Sequence, residues 1–532
     1  MTGSAIPSGA QHATTGGAPV GAGDPKWWTL TAVCLGTFML LLDITIVNVA
    51  LPQIQAELHA SFSDLQWVID AYALTLAALL LTTGSLADLY GRRRLYLIGV
   101  LIFTGASALC GAAQGPLMLE LSRGLQGVGG AAMFSVSLAL LANAFRGKDR
   151  GIAFGVWGAI TGLAVAVGPL VGGALVTGIS WRWIFFVNLP IGLLAFTLTA
   201  MRVRESRAPE AHRPDWAGFV LFSGGLACLV YALIDSGRSG FSATTVVVSF
   251  AAAAVLLAAF VVVEWRVAHP MFDLSLFRLP TFAGGDIAAF GVSAGIFSVL
   301  LYLVLYLQDV LGLSALQTGV RTLILSGAIL LSSGVAGRLS SQVPVRALIG
   351  PGLVLGGVGL LLMRGLTASS GWTHLIPGFV VAGVGVGLVN PPLASTAVGV
   401  VHPERAGMAS GINSTFRQVG IATGIALLGT LFSNRLVSAV ADLTRSTPLA
   451  GRSQQISAAL RNGGASRLFA DAPSQARPQL AEVVRGSFTA ALNEILLVAA
   501  VISVVAGVLA FLLIRSKDFV PQEQGALAAA AP

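Results

Sequence analysis

Stretches of about 20 apolar residues recur along the whole chain, separated by short polar breaks. A hydrocarbon core of ~30 Å is crossed by about 20 helical residues, so this spacing is typical of membrane-spanning helices. Only 10% of the 532 residues are charged, whereas a soluble domain carries about 25%. The sequence therefore predicts an all-α polytopic membrane protein.

The apolar blocks number fourteen, and an even number of spans places both chain termini on the same side of the membrane. Helices 7 and 8 are flanked by charged segments, and removing them leaves six helices on each side, as in a duplicated transporter. We therefore predict two six-helix halves with a two-helix central insert. The blocks lie at 27–50, 66–86, 95–113, 116–142, 151–177, 183–201, 216–234, 243–264, 281–307, 317–337, 347–364, 374–398, 408–433 and 488–514.

This division predicts a domain order along the chain. The expected parts are a disordered cytoplasmic N-terminus (1–25), an N-terminal half (26–204), a linker with two extra helices (205–272), a C-terminal half (273–515) that includes a long external loop at about 434–487, and a cytoplasmic tail (516–532).

The net charge of +8 comes mainly from arginines in alternate breaks between the blocks. The positive-inside rule places these breaks, and with them both termini, in the cytoplasm. This distribution also argues against nucleic-acid binding. The segment 434–487 carries seven arginines and is still predicted outside, since long loops cross membranes largely regardless of charge. The basic breaks carry Arg92, Arg93, Arg94, Arg146, Lys148, Arg150, Arg202, Arg204, Arg207, Arg213, Arg266, Arg278, Arg338 and Arg346.

The break after helix 2 reads "GSLADLYGRRRLYL". Gly84 and Gly91 permit a close approach and a bend. Asp88 can pair with a cation or with the positive end of a neighbouring helix. Arg92 is the first arginine of this conformational motif. A loop whose arginines only set topology is the alternative, but it leaves the glycines and Asp88 unexplained.

Helix 4 contains "LELSRGLQGVGGAA". Arg123 lies about two turns inside the apolar block, so we expect it to face protein. Glu120, three residues earlier on the same face, can pair with it. An arginine that snorkels to the outer surface is the alternative.

Helix 5 contains "GLAVAVGPLVGG", where Pro169 predicts a kink. Gly162, Gly168, Gly172 and Gly173 predict a smooth face for another helix, although generic small-residue packing is also compatible with them.

These motifs together resemble the major facilitator superfamily. "GSLADLYGRRR", "RGLQGVGGAA" and "GLAVAVGPLVGG" match its loop, fourth-helix and antiporter motifs. "LDITIVNVALP", "WRWIFFVNLPIG" and "HPERAGMASGINSTFRQVG" are similar to its fourteen-helix drug:proton antiporter branch. The resemblance implies alternating access around a central cavity, and proton-coupled export of hydrophobic or amphipathic molecules such as antibiotics. It implies no cofactor beyond a proton gradient. Three lysines against 28 arginines suggest a bacterial plasma membrane as the location.

Asp43 lies inside the first apolar block, where a charge costs several kcal/mol unless it is compensated. A partly desolvated carboxyl group takes up a proton more readily than one in water, so Asp43 is a candidate proton carrier. A structural acid bonded to Thr45, Asn48 or a neighbouring helix is the alternative, and both interpretations stay open.

Three further charged residues of the apolar blocks are Asp286, Arg417 and Glu494. Asp286 is a further proton-coupling candidate, as is Arg123. Asp286 could belong to a cavity, but we interpret it as an interfacial acid, as we do Glu494. Arg417 has to find an acid, a polar group or water.

The chain has no Walker A sequence, nucleophile elbow or metal-ligand cluster, so an ATP-driven pump or an enzyme is not indicated. Two alternatives to drug export remain at this stage. One is a narrow exporter of an endogenous peptide, siderophore or lipid, and the other is a membrane sensor or partner without transport.

Overall fold

A computed structural model describes residues 25–519, except 146, 208–214, 269, 341, 402–405, 446, 462–467, 469–472 and 474. The predicted disordered segment and most of the predicted tail lie outside the described residues. The long helices are α1 (Pro25–Leu58), α2 (Phe62–Tyr90), α3 (Arg92–Gly111), α4 (Pro116–Ala144), α5 (Gly147–Gly178), α6 (Trp183–Arg202), α7 (Trp216–Ser239), α8 (Thr244–Arg266), α9 (Pro280–Val310), α10 (Ala315–Leu339), α11 (Arg346–Leu362), α12 (Ile376–Gly399), α13 (Ala406–Thr444) and α14 (Arg477–Leu513).

Thirteen of these helices are long and apolar enough to cross a membrane. The fourteenth, α11, is a mostly apolar helix of 17 residues, which still spans a thin hydrocarbon core of ~26 Å. Helices satisfy their own backbone hydrogen bonds, as a chain without surrounding water requires. The prediction of an all-α membrane protein with fourteen spanning helices is thus confirmed.

The segment predicted as a long loop at 434–487 is largely helical where the structure describes it. α13 continues to Thr444, α14 begins at Arg477, and a short helix, Ser453–Arg461, lies between them. This mostly polar segment also contains apolar residues, which pack into a small core outside the bilayer-length blocks. That core contains Val440, Leu449, Ile456, Leu480, Val483 and Val484.

The helices form two groups, α1–α6 and α9–α14, that meet along two seams. We call the end of the bundle at which α1 begins and α14 ends the inner end, and the opposite end the outer end. At the first seam α5 packs against α10, and at the second α2 packs against α13. The space between the seams separates the two halves.

Helices α5 and α10 touch towards their outer ends. Leu316 N donates to Thr177 Oγ1 over 3.0 Å, and a Cβ added to Gly173 would lie 2.7 Å from Ala315 O. Near the inner end, Gly158 and Gly334 have no heavy atom of a neighbouring element within 4 Å in the described part of the chain. The described contacts of the first seam thus lie at its outer end and, through Gly162 and Leu330, in its middle.

The inserted helices differ in their burial. α7 packs against both α2 and α13, so it lies across the second seam. α8 packs against α7 and exposes most of its apolar surface. α8 therefore faces lipid, while α7 belongs to the packed bundle.

Within each half, glycine brings helix backbones together. A Cβ added to Gly129 of α4 would lie 2.7 Å from Gly99 O and 2.8 Å from Phe103 Cα, both on α3. Gly105, on the same α3, has no such neighbour among the described residues and is exposed.

We expect Gly129→Val to destabilise the protein by about 1–3 kcal/mol, because the backbone of α3 cannot yield to the added atoms. Gly105→Val is the matched control and should change stability little. The melting temperature of each purified variant in detergent measures the effect. Equal melting temperatures for the two variants would contradict the close packing of α3 on α4.

Candidate functional site

Asp43 is fully buried on α1 and forms an ion pair with Arg123 of α4. Arg123 Nη1 lies 2.5 Å from Asp43 Oδ2. The other carboxylate oxygen, Oδ1, accepts from Gln126 Nε2 at 2.8 Å and from Asn188 Nδ2 at 3.1 Å. Three donors from α4 and α6 thus compensate the charge that the sequence places inside α1.

Arg123 is only 2% exposed, so it does not snorkel to the surface. Its Nε donates to Val68 O at 3.0 Å, its Nη1 donates to Gln126 Oε1 at 2.6 Å, and its guanidinium carbon lies 4.3 Å from the centre of the Tyr72 ring. The prediction that Arg123 faces protein is therefore correct. Its acidic partner is Asp43 rather than Glu120.

Ser107 of α3 completes this polar network. Its Oγ donates to Phe185 O at 3.0 Å and lies 2.9 Å from Asn188 Nδ2 and 3.2 Å from Gln126 Nε2. Thr45 and Asn48, the local partners considered for Asp43, bond instead to backbone carbonyls of α1. The partners of Asp43 are all on neighbouring helices.

Asp70 of α2 is a second buried acid, and the sequence analysis missed it. Its side chain is fully buried, and neither carboxylate oxygen has a hydrogen-bond partner among the described residues. One turn before it, Gln66 Nε2 donates to Ile425 O of α13 at 3.0 Å. One turn after it, Ala73 packs in the second seam. Asp70 therefore lies where the two halves meet.

Asp286 of α9 is 1% exposed, so the interpretation as an interfacial acid is wrong. Packing of α9 against α13 and α14 covers it. Asn413 Nδ2 donates to Oδ1 at 3.0 Å, and Oδ2 has no partner within the described ranges. Glu494, by contrast, is partly exposed and pairs with Arg435.

Arg417 of α13 finds a neutral partner. Its Nη1 donates to Asn390 Oδ1 of α12 at 3.1 Å, which is the polar contact that the sequence analysis required.

The motif between α2 and α3 is fixed by an ion pair and by hydrogen bonds at the start of α3. Asp88 pairs with Arg92, with Oδ1 2.9 Å from Nη2. Glu205, which follows α6, accepts from the backbone N–H groups of Arg93 at 2.9 Å and Arg94 at 3.2 Å. The sequence analysis missed Glu205, although an acid suits the first turn of a helix.

The two glycines of this motif differ in their surroundings. Gly91 has φ 114°, and an added Cβ would lie 2.7 Å from Glu205 Cδ, so both its conformation and its contact favour glycine. Around Gly84 no heavy atom lies within 4 Å of such a Cβ in the described structure, so the expected close approach occurs at Gly91 alone.

The glycines of α5 contact two different helices. A Cβ on Gly168 would overlap Thr45, and one on Gly172 would lie 3.0 Å from Ile46 O, both on α1. Gly173 and Pro169 instead face α10.

Gly162 also faces α10, since its added Cβ would lie 3.6 Å from Leu330 Cδ1. The motif therefore joins α5 to its own half through α1 and to the other half through α10.

A small cavity lies between the halves beside the Asp43–Arg123 pair. Arg123 and Tyr72 line it from the first half, and Gln418 and Ile421 of α13 line it from the second. The paired guanidinium is thus next to the space that separates the halves.

Removing one partner of a buried ion pair leaves an uncompensated charge. We expect Arg123→Gln to cost about 3–5 kcal/mol of stability, and the double variant Asp43→Asn/Arg123→Gln to cost less than this single variant. Melting temperatures of the purified proteins test whether the double variant is more stable than Arg123→Gln. Arg435→Gln, which breaks the half-exposed pair with Glu494, is the control and should cost no more than about 1 kcal/mol. A double variant at least as unstable as Arg123→Gln would contradict the pairing.

Comparisons with known proteins agree with this architecture. The family model described as Major Facilitator Superfamily matches residues 33–425. The multidrug resistance protein Stp of Mycobacterium tuberculosis is 40% identical over 406 residues, which cover 76% of this chain and 75% of that protein. The tetracenomycin C resistance and export protein of Streptomyces glaucescens is 33% identical, covering 95% of this chain and 94% of its own length.

The fold also has a solved counterpart. A bacterial homologue of the human lysosomal transporter Spinster, crystallised in an inward-facing and occupied conformation, superposes with a TM-score of 0.67 at 18% identity. The match covers 94% of this chain and all of the other. Fold and sequence relatives thus agree, and the resemblance seen in the motifs is confirmed: this multi-pass membrane protein belongs to the major facilitator superfamily, a family of transporters rather than enzymes.

Proposed function

We propose that this protein exports hydrophobic or amphipathic small molecules, drugs and antibiotics foremost, in exchange for protons. The observation that carries the proposal is Asp70, a buried acid without a partner among the described residues, at the seam where the two halves meet. The names of the relatives, a multidrug resistance protein and an antibiotic resistance and export protein, support the substrate class.

The mechanism is alternating access. Helices α5 and α10 contact each other near their outer ends, and near their inner ends a Cβ added to Gly158 or Gly334 would meet no neighbour in the described structure. Substrate enters between the halves from the inner side, and closure of the inner ends with separation at Gly173 and Leu316 releases it outside. The arginine-rich breaks assign the inner end to the cytoplasm.

Asp43 and Asp70 have different roles in proton coupling. Asp43 is held by Arg123, Gln126 and Asn188, so exchanging a proton there requires this network to open. Asp70 has no such donors among the described residues. A charge without a partner is costly inside the membrane, whereas an uncharged acid is tolerated. Proton binding at Asp70 therefore favours the state in which the halves bury it.

Asp286 is the acid of the second half, and one of its oxygens is free of partners within the described ranges. It serves as a second proton site, while Arg123 holds the Asp43 carboxylate in place. The residues of the conformational motifs, from Gly84 to Gly173, guide the movement of the halves.

The test is efflux of ethidium and of a panel of hydrophobic antibiotics from cells that express the wild type or Asp70→Asn. We expect wild-type efflux to stop with a protonophore, and Asp70→Asn to lower it at least about tenfold, because the amide cannot carry a proton. Asp235→Asn, at a partly exposed acid that bonds Ser239 and Thr245, is the control and should stay within about twofold.

Two outcomes would contradict the proposal. Protonophore-sensitive efflux that Asp70→Asn leaves unchanged, at equal membrane expression, would remove Asp70 from coupling. A wild type that exports nothing in the panel and raises no drug tolerance would favour a narrow metabolite exporter or a sensor.

The closed outer seam gives a second test. Gly173→Leu places a side chain against the backbone of Ala315 and Leu316, so the outer ends cannot close. We expect it to lower efflux at least about tenfold while the purified variant still binds ethidium. Gly178→Leu is the control, since nothing in the described structure lies within 4 Å of its Cβ. Full transport by Gly173→Leu would exclude closure at this contact.

A further inference from the structure

Arg417 lies in the middle of the C-terminal half without an acidic partner. It extends from α13 to α12, where Nη1 donates to Asn390 Oδ1 at 3.1 Å. No ion pair or second hydrogen bond of this guanidinium is present within the described residues. Its side chain is partly exposed, so the remaining nitrogens keep access to the surrounding space.

Asp286, the buried acid of α9 that contacts α13, is bonded to a different residue of α13. Asp286 accepts from Asn413, one helical turn before Arg417. In the first half, by contrast, Arg123 is matched by Asp43. An uncompensated guanidinium in a membrane protein is costly, and such residues mark substrate pathways.

The neighbours of Arg417 on α13 place it next to the space between the halves. Gln418 and Ile421 line the cavity there, opposite Arg123 and Tyr72. Under alternating access, the exported molecule has to pass through this space.

We propose that Arg417, oriented by Asn390, binds an anionic group of the exported molecule, a carboxylate or a phenolate. This inference rests on the proposed export function and narrows its substrate class to amphipathic molecules that bear an acidic group. A guanidinium offers donors in a planar fork that matches a carboxylate. Asn390 accepts through Oδ1, so its Nδ2 group supplies one more donor to the anion.

The test is binding of two dyes that share a xanthene ring, anionic fluorescein and cationic rhodamine 6G, measured by fluorescence anisotropy on the purified full-length protein. We expect Arg417→Gln to weaken fluorescein binding at least about tenfold and rhodamine 6G binding no more than about twofold. Arg417→Lys keeps the charge and should recover part of the fluorescein affinity. Arg435→Gln, on the same helix, is the control and should change neither dye.

Several results would overturn the inference. They are equal weakening of both dyes in Arg417→Gln, unchanged fluorescein binding in that variant, and a wild type that does not bind fluorescein. A wild type that binds fluorescein through Arg417 but exports neither dye from proton-loaded vesicles would support the binding site and count against the export function, because binding is measured without turnover.

Discussion

The buried pair of Asp43 and Arg123 is the interaction around which the first half is built. Its hydrogen bonds and contacts reach α1, α2, α3, α4 and α6. Desolvating two charges costs free energy, and the pair is tolerated because further donors and acceptors satisfy both partners. Five of the six helices are thereby fixed by one polar network. α5 is outside it and is attached to α1 through Gly168 and Gly172 instead.

The charged residues inside the second half, Asp286 and Arg417, do not form an ion pair as Asp43 and Arg123 do. Asp286 and Arg417 are both bonded to an asparagine, and they do not pair with each other. Each charge therefore keeps unused hydrogen-bonding capacity within the described structure. Apart from Asp70, the first half compensates its buried charges within one network, whereas the second half leaves Asp286 and Arg417 without an ion pair among the described residues.

The sequence predicted the helices well because bilayer thickness fixes the length of an apolar span. It predicted the segment 434–487 poorly, since α13 and α14 continue beyond the apolar blocks and are held there by a separate small core. Helical structure outside the bilayer depends on such packing, which a search for apolar blocks does not detect.

For the site, single residues could be predicted and their partners could not. Asp43 and Arg123 each broke an apolar block, but they are 80 residues apart. A mostly apolar helix gives no periodicity from which its rotation, and so the facing side chain, can be derived. Asp70 breaks a block in the same way as Asp43 and was accessible to the same reasoning. Glu205 lies in a charged segment, where nothing in the sequence distinguishes it from its neighbours.

The contacts of α7 show how the insert takes part in the fold. Its hydrogen bonds across the second seam, among the described residues, go to α13, where Thr430 Oγ1 donates to Leu233 O and Ser433 Oγ donates to Gly237 O at 3.4 Å. Towards α2 it presents apolar side chains that pack on Ala73 and Ala77. Directional bonds hold α7 to α13, whereas apolar contacts on small residues allow sliding. Under the proposed movement of the halves, α2 is therefore displaced relative to α7 and α13 together, so that α7 moves with the second half.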